Sequence, residues 1–362
     1  MNIDGIPTRT LRAHAERRAI DIIDQTRLPH ALYWLRVSTL EAAAHAIRAM
    51  QVRGAPLIGV TAGYGLAIAL GDNASNTSLQ AACALLRSTR PTAVNLHWAL
   101  ARMEAALGAL PPEQRCAAAW QEAAAIAEED VAQNTAIGRH GLRLLNEVIV
   151  GDGNTLNIMT HCNAGWLATV DRGTALAPIY AAHDAGVPVH VWVSETRPRN
   201  QGLLTAWELE HHGVPHTLIA DNAAGLLMRV GKVDAVIVGA DRIAANGDVA
   251  NKIGTYLKAL ACADNGIPFY VAAPSSTIDF ACPEGADIPI EERSADELRF
   301  VHGLDGHGQP SALRQLPDGE DVANPAFDVT PGWLVKAIIS ERGICPASAE
   351  GLATLYPESR HE

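Results

Sequence analysis

The first 150 residues carry apolar side chains at the three- and four-residue spacing of amphipathic helices. The segment Ser38–Met50 predicts one such helix, capped by one of its first two residues. Residues 96–109 and 112–149 predict two further helical stretches, the second of them broken. We therefore expect a mainly helical domain over residues 1–150, with a boundary in the polar segment 151–155.

After this segment the pattern changes to short apolar runs separated by helix-like segments. The apolar runs are Leu156–Thr160, Val189–Val193, His216–Ala220, Ala235–Gly239 and Phe269–Ala273. The helix-like segments are 173–185, 203–213, 222–230 and 252–265. This alternation predicts an α/β domain over residues 151–362, with a parallel sheet flanked by helices. Because such sheets bind ligands beyond the carboxyl ends of their strands, we expect the chemistry just after each apolar run.

Three other segments refine this picture. The uncharged run Gly54–Gly71 approaches membrane-spanning length, but its five glycines and one proline favour a buried loop and helix. Within it, the spaced glycines of Gly59–Gly65 have no preceding strand and predict close helix packing. The sequence has no GxGxxG after its first apolar run and no Walker loop, so no nucleotide cofactor is expected. The polar segment 302–320 predicts a loop.

Charge and cysteine content narrow the function classes. The formal net charge of −12 would repel a phosphate-rich polymer, so nucleic acid is not an expected partner. A small anionic ligand remains compatible, because a pocket needs only a few cations and backbone amides. The six cysteines form no CxxC pair and no zinc-type spacing, and the N-terminus lacks an apolar signal segment. We expect reduced thiols in a cytoplasmic protein without a metal site or membrane anchor.

Two reactive side chains follow apolar runs directly. Cys162 ends the run before Asn163, where a following helix N-terminus would stabilise a thiolate; the alternative is a buried small apolar residue. Asp241 follows another run and could serve as a general acid or base. The alternative for Asp241 is a helix cap or an ion pair with Arg242. His161 is expected to be structural, because no second ligand supports a metal site.

Several other polar and cationic residues are candidates for binding an anionic ligand. Asn251 and Lys252 are expected to open a helix, where a phosphate could bind; a surface lysine is the alternative. A polar loop before another helix contains Gln201, which could bind hydroxyl groups. Arg53 and Arg90 stand beside apolar or turn residues and could each reach a phosphate, although a surface ion pair is the simpler interpretation for either alone.

Taken together, seven segments resemble the methylthioribose-1-phosphate isomerase family, within the wider group that contains the regulatory subunits of translation initiation factor 2B. They run in family order across nearly the whole chain, which makes the resemblance specific although each motif alone is weak. The segments are RGAPLIG (53–59), RPTAVNL (90–96), THCNAG (160–165), ETRPRNQG (195–202), GADRIAANGDVANKIGTY (239–256), PSSTID (274–279) and NPAFDVTP (324–331).

The resemblance implies an aldose–ketose isomerase of methionine salvage, which converts 5-methylthioribose 1-phosphate to 5-methylthioribulose 1-phosphate without a cofactor. It implies a homodimer with a small helical N-terminal domain and a Rossmann-like C-terminal domain. It places Cys162 at the reaction centre and makes Asp241 the proton-donating acid. The implied substrate contacts are Arg53, Gly54, Ala55, Arg90, Gln201, Asn251 and Lys252.

Two departures from the family pattern and two rival functions remain at this stage. Trp166 follows HCNAG where a small residue is expected, and the segment Gln201–Trp207 is one residue shorter than the pattern and lacks its arginine. One rival is a sister isomerase of 5-deoxyribose 1-phosphate or ribose 1,5-bisphosphate. A bisphosphate would need a second cationic site, which Arg197 or Arg199 could supply. The other rival is a non-catalytic regulatory subunit, which would not be expected to keep both the cysteine and the aspartate.

Overall fold

The computed structural model describes residues 1–148 and 155–361. The boundary expected at 151–155 therefore lies outside the described residues, apart from Thr155. The chain begins with five strands that the helical spacing did not indicate. The last three of them form an antiparallel sheet whose middle strand is rich in buried isoleucine. The strands of this part are β1 (Asn2–Ile3), β2 (Ile6–Pro7), β3 (Leu11–His14), β4 (Ala19–Ile23) and β5 (Trp34–Val37).

A helical bundle follows these strands. Its helices are α1 (Leu40–Arg48), α2 (Ala55–Ala69), α3 (Asn76–Arg87), α4 (Val94–Gly108) and α5 (Pro112–Val148). The predicted cap of the first helix is confirmed, because the Thr39 hydroxyl oxygen accepts a hydrogen bond from the backbone N–H of Ala42 at 3.1 Å. The predicted break in the last helix is wrong, since α5 runs without interruption for 37 residues.

Glycines allow these helices to pack closely. The helix α2 is buried from Leu57 to Ile68, as expected for the centre of a bundle. A Cβ at Gly59 would lie 2.8 Å from the carbonyl oxygen of Asn95, which confirms the predicted close packing of α2 against α4. In α5, a Cβ at Gly141 would lie 2.3 Å from Pro178, so this glycine serves a close contact instead of a helix break. None of the described helices has the length and apolar character needed to cross a membrane.

The rest of the chain is built around a second set of strands and helices. The strands are β6 (Leu156–Thr160), β7 (Val189–Ser194), β8 (His216–Ile219), β9 (Ala235–Val238), β10 (Arg242–Ala244), β11 (Val249–Lys252), β12 (Phe269–Ala272), β13 (Ile278–Asp279), β14 (Phe300–Leu304), β15 (Pro310–Arg314), β16 (Phe327–Thr330), β17 (Ala337–Ser340) and β18 (Gly343–Cys345). The helices are α6 (Ala177–Asp184), α7 (Gly202–His212), α8 (Ala223–Arg229), α9 (Thr255–Asn265), α10 (Asp296–Arg299) and α11 (Ala349–Leu355).

Seven of these strands form the main sheet, in the order β18-β17-β12-β9-β6-β7-β8. All neighbours are parallel except β17 and β18, which pair antiparallel. This confirms the predicted α/β class with a parallel sheet. The chain runs outward in one direction from β6 through β7 to β8, and then returns to β9 on the other side of β6. The pair β6–β9 is therefore the point at which the strand order reverses, where open α/β sheets bind ligands.

A smaller sheet lies against this reversal point, in the order β13-β10-β11-β16. The strand β11 pairs antiparallel with both β10 and β16, so it is held on two sides. The strands β14 and β15 form a hairpin, and the loop predicted over 302–320 is therefore wrong for residues 302–304 and 310–314. Most of this hairpin is exposed, so its sequence lacks the alternating apolar pattern by which a strand is usually found.

Candidate active site

One pocket lies at the carboxyl ends of β6 and β9, between the main sheet, the small sheet and the start of α2. The structure brings eight of the nine sequence-predicted site residues to its wall. The eight are Arg53, Gly54, Ala55, Arg90, Cys162, Gln201, Asp241 and Lys252. The ninth, Asn251, is not among the lining residues.

Cys162 follows β6 in a left-handed backbone conformation, with φ of 65°. Its N–H donates to the hydroxyl of Thr196 at 2.8 Å, and its carbonyl accepts from the hydroxyl of Thr205 at 2.8 Å. These bonds fix the turn that presents the sulfur to the pocket. The expected helix N-terminus after Cys162 is not present, because only a short 3-10 turn, Trp166–Ala168, precedes α6.

Burial raises the pKa of the Cys162 thiol above its usual value. Arg53 and Lys252 oppose this effect because their positive charges favour the thiolate. The sulfur lies 3.9 Å from an Nη of Arg53. The two cations therefore replace the helix dipole that the sequence suggested as the source of thiolate stabilisation.

Asp241 follows β9, and its N–H donates to the carbonyl of Ala250 at 2.9 Å. Burial raises the pKa of its carboxyl group, although Lys252 and Arg90 act in the opposite direction. A raised pKa suits a group that must hold a proton before it donates it. The alternative ion pair between Asp241 and Arg242 is not formed, because Arg242 instead lies 3.4 Å from Asp279.

Lys252 ends β11 and is buried, with 8% of its surface exposed. The expectation that Lys252 opens a helix is wrong: α9 begins at Thr255, and β11 is held in the small sheet by its two neighbours. Burial lowers the pKa of the lysine, and the negative charges of Cys162 and Asp241 oppose this. Residues 250 and 252 face the pocket, so the alternation of a strand turns Asn251 away, and its amide donates to Thr255 at 3.0 Å.

Arg53 and Gly54 come just before α2. Arg53 donates to the side-chain oxygen of Asn163 at 2.5 Å and to its backbone oxygen at 2.8 Å, which ties the guanidinium to the Cys162 loop. Gly54 has a φ of 91°, and a Cβ there would lie 2.4 Å from the Cα of Ala168. Glycine is therefore required at this position. The free N–H groups of the first turn of α2 add positive potential to the pocket.

Arg90 lies in the connection between α3 and α4, and its side chain is 14% exposed. Its Nε is buried without a hydrogen-bond partner, and its closest approach to a carboxylate is 3.7 Å, to Glu291. Burial lowers the pKa of its guanidinium. The Oε1 of Gln201 is buried and unpartnered as well. Buried polar groups without partners are uncommon in folded proteins, and here they line a pocket that an anionic, hydroxyl-bearing ligand would fit.

Sequence reasoning missed Arg293, which lines the same pocket. It donates to Glu291 at 2.9 Å and to Glu297 at 2.6 Å. Arg199 also lines the pocket and is paired with Glu297 at 2.9 Å. The only sequence signal for this cluster was the density of charged residues over 291–299, which equally suits a solvated surface.

Much of the remaining wall of the pocket is apolar, although Thr92 and Arg242 also line it. The apolar part is formed by Met50, Ile58, Ala93, Ile288, Pro289, Ala326 and Phe327. The ring centroid of Phe327 lies 5.2 Å from the Nζ of Lys252, so apolar and cationic surfaces meet there. A ligand with one charged end and one apolar end would match this division.

His161 and the five cysteines other than Cys162 do not line the pocket. His161 is 1% exposed, and its Nε2 lies 2.8 Å from the carbonyl oxygen of Ile253. Burial lowers the pKa of this imidazole to about 3, so it stays neutral. All six cysteines are free thiols, and five are buried. Cys162 is the one that lines the pocket at the reversal point.

The sequence and the fold are both similar to those of known proteins. The family model described as the initiation factor 2 subunit family matches residues 51–347, and the chain belongs to that family. A methylthioribose-1-phosphate isomerase of Dechloromonas aromatica (strain RCB) is 84% identical over 358 residues, covering 99% of each chain.

Two solved structures have folds similar to that of this chain. The crystal structure of 5-methylthioribose 1-phosphate isomerase from Pyrococcus horikoshii OT3 matches with a TM-score of 0.83 and 41% identity, covering 97% of this chain and 96% of that chain. The translation initiation factor 2B delta subunit from A. fulgidus matches with a TM-score of 0.80 and 39% identity, covering 97% of this chain and 100% of that chain. The fold is therefore shared by a protein named as a methylthioribose-1-phosphate isomerase and by one named as an initiation factor 2B subunit.

Proposed function

We propose that this protein is a methylthioribose-1-phosphate isomerase, which converts 5-methylthioribose 1-phosphate to 5-methylthioribulose 1-phosphate in methionine salvage. The observation that carries the proposal is that a thiol, Cys162, and a carboxyl group of raised pKa, Asp241, line one pocket together with the largely buried cations Arg90 and Lys252. The full-length similarity to a protein of that name supports the choice of substrate.

In this proposal the phosphate binds between Arg53, Arg90 and Lys252 and the first turn of α2. The buried Nε of Arg90 has no protein partner, and the N–H groups at the start of a helix bind phosphate readily. Gln201 would contact a sugar hydroxyl through its unpartnered oxygen. The methylthio group would lie against the apolar wall.

The first chemical step opens the sugar ring. The anomeric oxygen of the substrate carries the phosphate, so the ring cannot open to a free aldehyde. Asp241 donates its proton to the ring oxygen, and the C1–O4 bond breaks with its electron pair leaving on that oxygen. Burial of Asp241 keeps a proton available for this step, and the nearby cations stabilise the carboxylate that remains.

Hydrogen then moves from C2 to C1. In one route the Cys162 thiolate removes the C2 proton, an enol forms between C1 and C2, and the thiol returns the proton to C1 while the C2 hydroxyl gives its proton to the Asp241 carboxylate, which leaves the ketone and restores the acid. In the other route hydride passes directly from C2 to C1, and the C2 hydroxyl loses its proton to give the ketone. Deuterium at C1 of the product from a run in D2O would establish the proton route, because a hydride that passes directly from C2 to C1 does not exchange with solvent.

The proposal extends to location, architecture and assembly. We assign the enzyme to the cytoplasm, because all six cysteines are free thiols. We divide it into a mainly helical N-terminal domain, residues 1–150, and a Rossmann-like catalytic domain, residues 151–362. We also propose a homodimer, supported by the exposed side chains of Leu257 and Trp333, which are 64% and 77% exposed on neighbouring elements. Light scattering should then report twice the 38.4 kDa of one chain.

A panel of three substrates tests the proposal, with ketose formation followed by NMR. We expect the highest kcat/KM for 5-methylthioribose 1-phosphate and a value lower by roughly tenfold to a hundredfold for 5-deoxyribose 1-phosphate, because losing an apolar substituent costs about 1–3 kcal/mol. Ribose 1,5-bisphosphate should be poor, since Arg199 is already paired with Glu297. Higher activity on either rival substrate would replace the assignment, and no reaction with any of the three would favour a regulatory subunit.

A further inference from the structure

Glu208 is a buried carboxyl group behind the pocket, on α7, with 2% of its surface exposed. One carboxylate oxygen accepts a hydrogen bond from the side-chain amide of Asn163. The other accepts from the backbone N–H of Trp166 at 2.5 Å and from the hydroxyl of Tyr180 at 2.9 Å. Gly165 allows this approach, because a Cβ there would lie 2.3 Å from the Glu208 carboxylate. The loop after Cys162 is thus shaped around this acid.

The hydrogen bonds continue from Glu208 to the reactive sulfur. The Asn163 amide donates through its nitrogen to Glu208, so its oxygen faces the other way and accepts from Arg53 at 2.5 Å. The same guanidinium lies 3.9 Å from the sulfur of Cys162. The chain of contacts therefore runs from Glu208 through Asn163 and Arg53 to Cys162.

An amide can face Arg53 with either its oxygen or its nitrogen, and only the oxygen can accept a hydrogen bond. Glu208 favours the observed orientation because an ionised carboxylate only accepts hydrogen bonds, and the hydroxyl of Thr205 accepts from the same nitrogen at 3.1 Å. Burial raises the pKa of Glu208 to about 7, so its carboxyl group is mostly ionised at pH 8. Two donors point at this side chain from the loop, one from Asn163 and one from the Trp166 backbone. A carboxylate has two accepting oxygens and can accept from both donors. A glutamine side chain has only one accepting oxygen.

We propose that Glu208 is a positioning residue that holds the Arg53 guanidinium beside the Cys162 sulfur by fixing the orientation of the Asn163 amide. Glu208 does not touch the substrate in this account and acts only through its neighbours. The inference rests on the proposed function for the use of Cys162 in turnover, but its test needs no substrate.

The test is the pH dependence of Cys162 alkylation by iodoacetamide, followed by peptide mass spectrometry so that the other cysteines do not interfere. In Glu208→Gln, Arg53 keeps its hydrogen bond to the backbone oxygen of Asn163 but loses the fixed side-chain acceptor, so its guanidinium is held less firmly beside the thiolate. We expect the midpoint of alkylation to move to higher pH and the rate at pH 8 to fall about tenfold, the change in thiolate fraction for one pKa unit. Asn163→Ala removes the side-chain oxygen that accepts from Arg53, and it should move the midpoint of alkylation in the same direction.

The direction of the shift discriminates between roles. Removing a negative charge that acted on Cys162 only through its field would lower the midpoint, and a purely structural role would leave it unchanged, so either result overturns the proposal. Asp130→Asn is the matched control, since Asp130 is a 5% exposed carboxyl group that accepts from the backbone of Val170 and from Asn134. Its midpoint should equal that of the wild type. If Glu208→Gln does not fold, Asn163→Ala decides, and isomerase assays separately decide the proposed function.

Discussion

The hydroxyl of Thr196 accepts a hydrogen bond from the backbone N–H of Cys162 at 2.8 Å, and both residues have a φ near 65°. The two residues lie just after β7 and β6, so this bond ties together the carboxyl ends of adjacent parallel strands. A β-branched residue with positive φ is strained, and the surrounding contacts must hold it there. Thr196 is held by Asp221, which accepts from its N–H at 2.8 Å.

Thr196→Val should weaken this link without changing the shape of the side chain. The N–H of Cys162 would then be buried without a partner, which lowers the free energy of unfolding by about 1–3 kcal/mol. The sulfur would also lose its fixed position, so we expect kcat to fall roughly tenfold. Thr196→Ser keeps the hydroxyl and is the matched control. Equal kcat values for the valine and serine variants would show that the hydrogen bond does not position Cys162.

Gly54→Ala should damage both stability and activity. The new Cβ would lie 2.4 Å from the backbone of Ala168, and alanine is strained at a φ of 91°. We expect the free energy of unfolding to fall by about 2 kcal/mol or more in urea titrations. Gly108→Ala is the matched control at the end of α4, where no atom lies within 4 Å of the added Cβ. It should be neutral or slightly stabilising, and equal losses in the two variants would contradict the account.

Lys252→Met should weaken substrate binding without lowering the free energy of unfolding. Lys252 is buried and its pKa is lowered by burial, so an apolar side chain of similar length should leave the free energy of unfolding unchanged or raise it. The apparent KM should rise about tenfold to a hundredfold, because a hydrogen bond to a charged phosphate is worth about 1.5–3 kcal/mol. An unchanged KM would show that Lys252 does not contact the phosphate.

Lys258→Met is the comparison for a buried lysine outside the pocket wall. Lys258 is 3% exposed and lies 4.0 Å from Asp221. Its loss leaves that carboxylate without a cation, so stability should fall, whereas KM should change less than in Lys252→Met. The reverse ranking of the two KM values would contradict the assignment of the phosphate site.

Asp130→Asn should change how stability depends on pH. Burial raises the pKa of Asp130 to about 7 in the folded protein, whereas an unfolded aspartate titrates near pH 4. Between these values the folded state holds a proton that the unfolded state has released. This residue therefore lowers the free energy of unfolding as pH rises from about 4 to about 7, by on the order of 1 kcal/mol per pH unit.

The asparagine variant lacks this titration. We expect urea unfolding of both proteins at several pH values between 4 and 7 to give this result: as pH rises, the free energy of unfolding of the variant increases relative to that of the wild type. Differences that stay constant over this range would mean that Asp130 has an ordinary pKa in the folded protein.

Five of the seven strands of the main sheet could be predicted from the sequence to within one residue, whereas β17 and β18 were not predicted. β9 is buried throughout and is a continuous apolar run, and β6 is buried except at Asn157, so both strands are visible in the sequence and their carboxyl ends mark the site. The hairpin of β14 and β15 could not be found this way because most of its side chains face solvent. Helix spacing also failed for β3 to β5, whose pairing depends on residues brought together by the tertiary fold.

The site, like the fold, could be predicted from the sequence only in part. Strand ends and motif order pointed to Cys162 and Asp241, but they could not give the conformation around them. The chain after Cys162 folds back so tightly that a Cβ at Gly173 would lie 2.3 Å from Gly165, and this leaves no room for the expected helix. Arg293 lies more than 120 residues after Cys162 in the sequence, and no local pattern distinguishes it from a surface arginine.

The most direct test of the central claim is turnover of 5-methylthioribose 1-phosphate by Asp241→Asn and Cys162→Ala, measured by NMR alongside substrate binding by calorimetry. The account predicts that both variants bind the substrate and that each loses about 10²–10⁴-fold in kcat, because a positioned acid or base contributes a factor of that size. Near-normal turnover in either variant would contradict the role given to that residue. Near-normal turnover in both would mean that this pocket is not where the reaction takes place.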